Sequence, residues 1–243
     1  MGIKLNRKKP KLFILSFIYR IHKWMPLSSK RKFRMYLNLE WIFDRLAHEM
    51  SFRIYSPEMH PVRIKSVPFI MQKISNQSIV LDLGCNLGDI AYVIAEKAKE
   101  VVGIDYNQSA IDEARREYKR ENLTFIYGEA LEYLAKKEKS FDTLILSHIL
   151  EHLDRPEEFL LNFKNYFEWI YIELPDFDKY YLNHYRVDQK LDLVYTDTDH
   201  VSEFDRYELM NLLERCNIEI VRSEYIYGLQ KLWCRNMDTN KVV

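Results

Sequence analysis

Cysteine is scarce in this chain: three residues in 243, at Cys85, Cys216 and Cys234. Three scattered thiols cannot build a disulfide framework, and no secretory signal with an A-x-A-like cleavage site is apparent. They fit free thiols in a reducing cytoplasm. Six glycines and seven prolines exclude a collagen-like or low-complexity chain. No stretch of about 18 apolar residues occurs, so no transmembrane helix is expected. Walker loops and Cys-x-x-Cys metal ribbons are also missing. What remains is 47% hydrophobic and 30% charged, the balance of an ordinary soluble globular protein.

The formal net charge of zero hides a strong asymmetry. Residues 1–39 hold eleven Lys/Arg and no Asp or Glu, the first acid being Glu40. The remaining 204 residues carry 25 bases against 36 acids. A basic arm on an acidic body points to a polyanionic neighbour, either membrane surface or nucleic acid. The arm contains the apolar run Leu12–Ile21 and then returns to Lys30-Arg31-Lys32. On a helix, Ser16, Arg20 and Lys23 make a narrow polar stripe on an otherwise apolar surface. Such a helix can lie in a membrane interface, here the inner face, pack on the domain with its bases in solvent, or touch nucleic acid. Residues 40–75 read as a helical cap broken by Pro57, Pro61 and Pro68. Residues 1–75 are therefore assigned to a basic, helical N-terminal extension.

From residue 78 apolar strands alternate with helices: 79–81, 101–104, 123–126, 141–146 and 169–172, with helical stretches at 90–99, 109–120, 130–137 and 156–167 between them. Ser109 is the expected cap of the second of these helices. Near-continuous apolar strands separated by helices imply a parallel sheet buried on both faces. Residues 207–215 read as a last helix, and 218–227 and 229–235 as a hairpin turning at Gly228. The fold class expected for 76–243 is α/β, a doubly wound, mostly parallel seven-stranded sheet with an antiparallel C-terminal hairpin.

The first strand runs into Leu81-Asp82-Leu83-Gly84-Cys85-Asn86-Leu87-Gly88-Asp89, and a helix follows at once. Glycines there let a ligand approach the backbone at a helix N-terminus. Asp105 ends the second strand, where a carboxylate can accept from a ribose diol. The loop lacks the dinucleotide spacing G-x-G-x-x-G. Asp82 would repel a pyrophosphate but suits a ligand bearing an ammonium group, which favours S-adenosylmethionine over NAD.

Val80 to Gly88 resembles the first motif of class I S-adenosylmethionine-dependent methyltransferases, and the resemblance extends over residues 78–235. It implies that Asp82 supports the amino-acid end of the cofactor and that the loop residues Gly84, Cys85, Asn86 and Gly88 border it. Asp105 would bind the ribose. Glu129 and Ala130, after the third strand, would lie near the adenine, and Ser147, at the end of the fourth, completes the set. Asn86 stands where the family's middle glycine is usual, and asparagine tolerates the left-handed conformation. Tyr106 either packs on the adenine or is an ordinary surface aromatic.

Beyond the fourth strand lies His148-Ile149-Leu150-Glu151-His152. On a helical turn His148, Glu151 and His152 share one face, and His200 lies downstream. This cluster resembles small-molecule and sugar methyltransferases, ubiquinone-type O-methyltransferases and small-RNA 2′-O-methyltransferases. Three readings stay open: a structural role; catalysis by His148, His152 or His200 as general base; or a divalent metal, Mg or Mn, on His148, Glu151, His152 and His200. No N/D-P-P-Y segment follows the fourth strand, which disfavours methylation of DNA-base amines. An insert over 175–205, rich in Tyr, Asp and His, is expected to form the acceptor lid, with His184 and Tyr185 on the substrate. The function expected is O-methylation of a saccharide or other small polyol, lipid-linked if the arm binds membrane. The alternatives are metal-dependent RNA 2′-O-methylation, disfavoured by the acidic body, and a cofactor-binding, non-catalytic partner subunit.

Overall fold

The computed structural model describes residues 13–56, 59–136, 141–197 and 199–238. Three helices open it: α1 (Phe13–Trp24), α2 (Ser29–Ile54) and α3 (Pro61–Ile70). Then come β1 (Ile79–Leu83), α4 (Asp89–Ile94), β2 (Glu100–Asp105), α5 (Gln108–Glu117), β3 (Leu123–Tyr127), α6 (Ala130–Lys136) and β4 (Thr143–Ser147). The chain closes with α7 (Pro156–Phe163), β5 (Trp169–Pro175), α8 (Leu182–Asp188), α9 (Arg206–Arg215), β6 (Ile218–Ile226) and β7 (Leu229–Asn236).

The seven strands lie in the order β3-β2-β1-β4-β5-β7-β6. The first five are parallel, and β7 runs antiparallel between β5 and β6. The expected terminal hairpin is present, joined through Tyr227 (φ 52°) and Gly228 (φ 76°). Both left-handed residues match the twist of a tight hairpin.

Alternate strand residues feed two cores. Leu81, Val102, Ile104, Leu144, Leu146, Ile170, Ile172 and Leu232 face α6, α7 and α9. Val80, Val101, Ile145, Tyr171 and Trp233 face α3, α4 and α5. Burial on both faces explains why the strands lack polar alternation. Trp233 is fully buried, and its indole N–H donates to the Phe69 carbonyl at 2.9 Å, tying α3 to the sheet. The extension is thus partly built into the core.

The N-terminal region differs from its expected outline. α2 is one continuous 26-residue helix that starts in the basic arm, capped by Ser28. Pro61 opens α3 instead of breaking a helix, and Pro68 sits inside α3, which ends two residues later. Pro57 lies outside the described residues. α4 is also shorter than expected, and α5 is capped by the Asn107 side chain, which accepts from Ala110 N–H, rather than by Ser109.

α2 does not stand alone as a cap, for its basic side chains reach across to the insert. Arg34 donates to the Gln189 carbonyl at 2.7 Å, the Trp41 indole to the Tyr195 carbonyl at 2.8 Å, and Arg45 to the Thr196 carbonyl at 2.9 Å. Buried Arg186 of α8 pairs with Glu40 and donates to the Leu37 carbonyl at 3.1 Å. The insert comprises a short turn at Phe177–Lys179, α8 and an irregular return. It and α2 together roof the carboxyl end of the sheet.

Candidate active site

At the end of β1 the backbone passes through three left-handed residues in alternation, Gly84 (φ 69°), Asn86 (φ 46°) and Gly88 (φ 82°). This winding returns the chain to the sheet, where the N–H groups of Gly84 and Cys85 donate to the Ile104 carbonyl at 2.8 and 3.2 Å. A Cβ on Gly84 would strike the Ile149 side chain, and one on Gly88 the Phe125 ring. Asn86 meets the conformational demand without a glycine. Asn86→Val is expected to lower unfolding free energy by about 1–2 kcal/mol, while Asn86→Gly stays within about 1 kcal/mol, both read from thermal melts.

Cys85 turns its side chain away from this loop. It is buried, and a Cβ on Gly103 would lie 2.9 Å from its sulfur. Burial, then the charges of Asp82 and Asp105, push its thiol pKa up. Only its backbone can border a ligand, because the core around β2 and β3 takes the thiol.

Asp82 is buried, and among the described residues its Oδ2 has no hydrogen-bond partner. Burial pushes its pKa up to about 8, helped by Asp89 and Asp105 and opposed by Arg63. Arg63, from α3, pairs with Asp89 at 3.2 Å. An orphaned carboxylate oxygen beside a glycine loop suits an incoming ammonium group, so this loop fits the amino-acid end of S-adenosylmethionine. Asp105 accepts from the backbone N–H groups of Asn86 and Asn107, both at 2.8 Å, and so joins the loops after β1 and β2. Tyr106 beside it is 80% exposed, free of packing that would fix it elsewhere. Glu129 is exposed at the start of α6, its carbonyl accepting from Tyr133 N–H, and Ala130 is buried behind it. Ser147 closes β4, its hydroxyl 3.5 Å from Glu173 Oε1. These residues all sit at the carboxyl ends of β1–β4 or in the turns just beyond, where ligands of open α/β sheets bind.

The His-Glu-His segment is not the continuous helical turn expected. His148 adopts φ 57°, and only Leu150–His152 form a short 3-10 turn. The kink divides the cluster around Glu151. His148 Nδ1 lies 3.0 Å from Glu151 Oε1, and its Nε2 3.7 Å from Glu173 Oε1. Burial lowers the His148 pKa, but the hydrogen bond and charge of Glu151 and the charge of Glu173 outweigh it, so the net shift is upward. His152 turns the other way, edge-on to His200 with ring centres 4.9 Å apart, its Nδ1 3.3 Å from the Asp199 carbonyl. His200 is held by Glu203 at 2.9 Å and Thr196 at 3.1 Å. Burial lowers its pKa, and the Glu203 hydrogen bond and charge raise it further than burial lowers it. Ligand atoms of Glu151, His152 and His200 lie within 4.8 Å of one another, without His148. The four-residue metal set therefore contracts to three.

A cavity of about 420 Å³ lies between α2, the insert and the β5 end, a size suited to a small organic ligand. His148 and His200 line it; His184 and Tyr185 do not. α8 turns Asn183 and Arg186 inward, whereas His184 pairs with Asp178 at 2.8 Å and Tyr185 packs edge-on against Phe33. The other walls come from α2, through Trp41, His48 and Phe52, and from Tyr180 and Tyr227. Phe52 stacks on His60, ring centres 4.5 Å apart. Sequence patterning missed these α2 residues, since nothing in helical spacing says which face a distant insert will cover.

The sequence profile of a methyltransferase-domain family matches residues 74–216, more than half of the chain. The chain belongs to this methyltransferase family. A ubiquinone biosynthesis O-methyltransferase of Coxiella burnetii is 31% identical over 106 residues, 43% of this chain and 44% of the relative. An RNA methyltransferase of Mycoplasma mobile, itself uncharacterised, is 37% identical over 70 residues, 28% of this chain and 19% of that one. The chain thus spans less than half the length of these curated relatives. Among solved structures, a SAM-dependent methyltransferase from Archaeoglobus fulgidus superposes with a TM-score of 0.56, at 20% identity, covering 78% of this chain and 98% of that one. Magnesium protoporphyrin IX methyltransferase from Synechocystis, with bound SAH, gives a TM-score of 0.55 at 15% identity, covering 80% and 94%. These neighbours share the fold of this chain, which carries a mixed seven-stranded sheet.

Proposed function

We propose that this chain is an S-adenosylmethionine-dependent O-methyltransferase acting on a hydroxyl of a saccharide or another small polyol. The observation that carries the reading is the place of His148. It lines the cavity while its neighbour Ile149 packs over Gly84 of the cofactor loop, so it stands between the two binding regions. Glu151 at Nδ1 fixes the tautomer that leaves Nε2 able to accept a proton from an acceptor hydroxyl, and it stabilises the imidazolium that results. Asp82, Gly84, Asn86, Gly88 and Asp105 would hold S-adenosylmethionine, which supplies an electrophilic methyl group; the protein contributes alignment. Aromatic faces and carboxylates in one cavity suit the ring faces and hydroxyls of a sugar. The Coxiella relative, named for O-methyl transfer, supports hydroxyl chemistry. Incubation with isotopically labelled S-adenosylmethionine and a panel of free, nucleotide-linked and lipid-linked saccharides, amines and RNA tests it. Label in an O-methyl ether is expected. Label only on nitrogen or on RNA ribose would refute the acceptor class. No turnover with normal S-adenosylhomocysteine binding would favour a non-catalytic partner subunit.

Tyr106 is placed by this reading against the adenine. Tyr106→Ala is expected to weaken S-adenosylhomocysteine binding about 3- to 10-fold in calorimetry, the size of one aromatic contact.

A second reading has its own observation. Among the described residues Glu151 Oε2 is buried with no partner, and Glu151 forms a group with His152 and His200. Glu203 engages Nδ1 of His200, which leaves Nε2 available. Glu151, His152 and His200 would hold a divalent ion, whose chemistry is to lower the pKa of a bound hydroxyl. Titration of Mn²⁺ or Mg²⁺ into chelator-treated protein with S-adenosylhomocysteine separates the two. The base reading expects no stoichiometric heat. One ion per chain, lost in His152→Ala, would move the proposal to metal-assisted transfer and raise RNA 2′-hydroxyls as acceptors.

A further inference from the structure

α1 buries none of its twelve residues. Phe13, Phe17 and Trp24 are 80%, 63% and 87% exposed. At 100° per residue these three form one continuous face with Ile14, Ile18 and Ile21, while Ser16, Arg20 and Lys23 form a polar stripe beside it. The helix is nonetheless attached. His22 Nδ1 is 2.8 Å from the Tyr36 hydroxyl, and Lys32 Nζ donates to the His22 carbonyl at 2.7 Å. α1 is thus fastened to α2 through His22, and among the described residues its apolar face has no partner. So large a patch calls for a cover.

The surrounding charge selects that cover. Residues 1–39 contain eleven Lys/Arg and no acid. A second copy of the chain would bring like charge onto like charge. A nucleic acid would satisfy the bases and leave the aromatic face in water. Twelve residues rise only about 18 Å, short of the roughly 30 Å of a bilayer core. Among the described residues no helix is long and apolar enough to cross a membrane. We propose that α1 docks in the plane of a membrane interface bearing anionic lipids. Phe13, Phe17 and Trp24 enter the headgroup–acyl boundary, and the flanking bases meet the headgroups. The proposal stands apart from the methyl-transfer reading.

The test is co-sedimentation of the full chain with phosphatidylcholine vesicles with and without phosphatidylglycerol. Binding is expected only with the anionic lipid and is expected to weaken as salt rises. Phe17→Ser/Trp24→Ser should cut the partition coefficient about tenfold or more, and Lys30→Glu/Arg31→Glu by a similar factor. S-adenosylhomocysteine affinity, unchanged in both, reports that the variants are folded. Brominated acyl chains should quench a wild-type tryptophan signal that Trp24→Phe removes, a readout independent of the double variants. Wild-type binding in both double variants would overturn the proposal. So would a lipid-free dimer that Phe17→Ser/Trp24→Ser dissociates, or salt-sensitive RNA binding without vesicle binding.

Discussion

Replacing His148 with asparagine is expected to slow methyl transfer by about 10²–10⁴-fold while S-adenosylhomocysteine binding stays near wild type. Asparagine is the informative choice. His148 sits at φ 57°, where alanine would add backbone strain and blur the result, whereas asparagine accepts that conformation and lacks a basic nitrogen. The pH profile carries a second, independent expectation. A general base works in its neutral form, so activity falls as pH drops through its pKa. Burial tends to lower the His148 value, but Glu151 and Glu173 raise it on balance against Arg63. The acidic limb of kcat/KM should therefore lie above the ordinary imidazole range of about 6.5. Glu151→Gln removes the largest raising contact and should move that limb to lower pH while reducing the rate. Initial rates across pH 5–9, about the span an imidazole titrates, measure both effects. An acidic limb that Glu151→Gln leaves in place would show that His148 is not the titrating base.

Much of the cofactor side was legible in the sequence because it is local. The Asp82–Gly88 winding, Asp105 at the next strand end and the strand–helix alternation are written in adjacent residues, and backbone geometry follows from them. Even the non-glycine left-handed position was readable, since Asn86 is a residue type that reaches φ 46°. The acceptor side was less legible because it is assembled from distant segments. The helical periodicity that put His148, Glu151 and His152 on one face assumed a regular turn, and with the φ 57° kink at His148 that residue still meets Glu151 while His152 turns away to His200. His184 and Tyr185 have the right chemistry on the face of α8 turned from the cavity, while Arg186 points inward because Glu40 and Leu37 of α2 receive it, and Asn183 accepts from Arg186 and donates to the Phe177 carbonyl. α2 itself reads as an outlying cap. The hydrogen bonds of Arg34, Trp41 and Arg45 to insert carbonyls reveal it as a wall of the cavity.

The cofactor loop holds the second large effect, in a single buried carboxyl. Asp82→Asn is expected to weaken S-adenosylhomocysteine binding at pH 8 by about 10- to 100-fold, the worth of one hydrogen bond to a charged group. The same substitution should stabilise the cofactor-free protein at that pH. In the empty protein Asp82 faces Asp89 and Asp105, with Arg63 and the Ala91 backbone opposing them, and burial sets its pKa to about 8. The unfolded chain titrates near 3.9, an ordinary carboxyl value of about that size. Between those values the folded state holds a proton that the unfolded state has released, so stability falls as pH rises toward 8. Asparagine, neutral throughout, removes that slope. A bound ammonium reverses the preference and favours the ionised carboxylate. Ligand binding then expels a proton, and affinity rises with pH until the carboxyl is ionised on its own. Calorimetry in two buffers of different ionisation enthalpy counts that proton, and thermal melts across the same pH range follow the stability. The wild type should release a proton near pH 7, and Asp82→Asn should release less and lose the slope. Equal affinities and equal proton counts in the two proteins would remove Asp82 from the ammonium site and leave its unpartnered oxygen to a bound water.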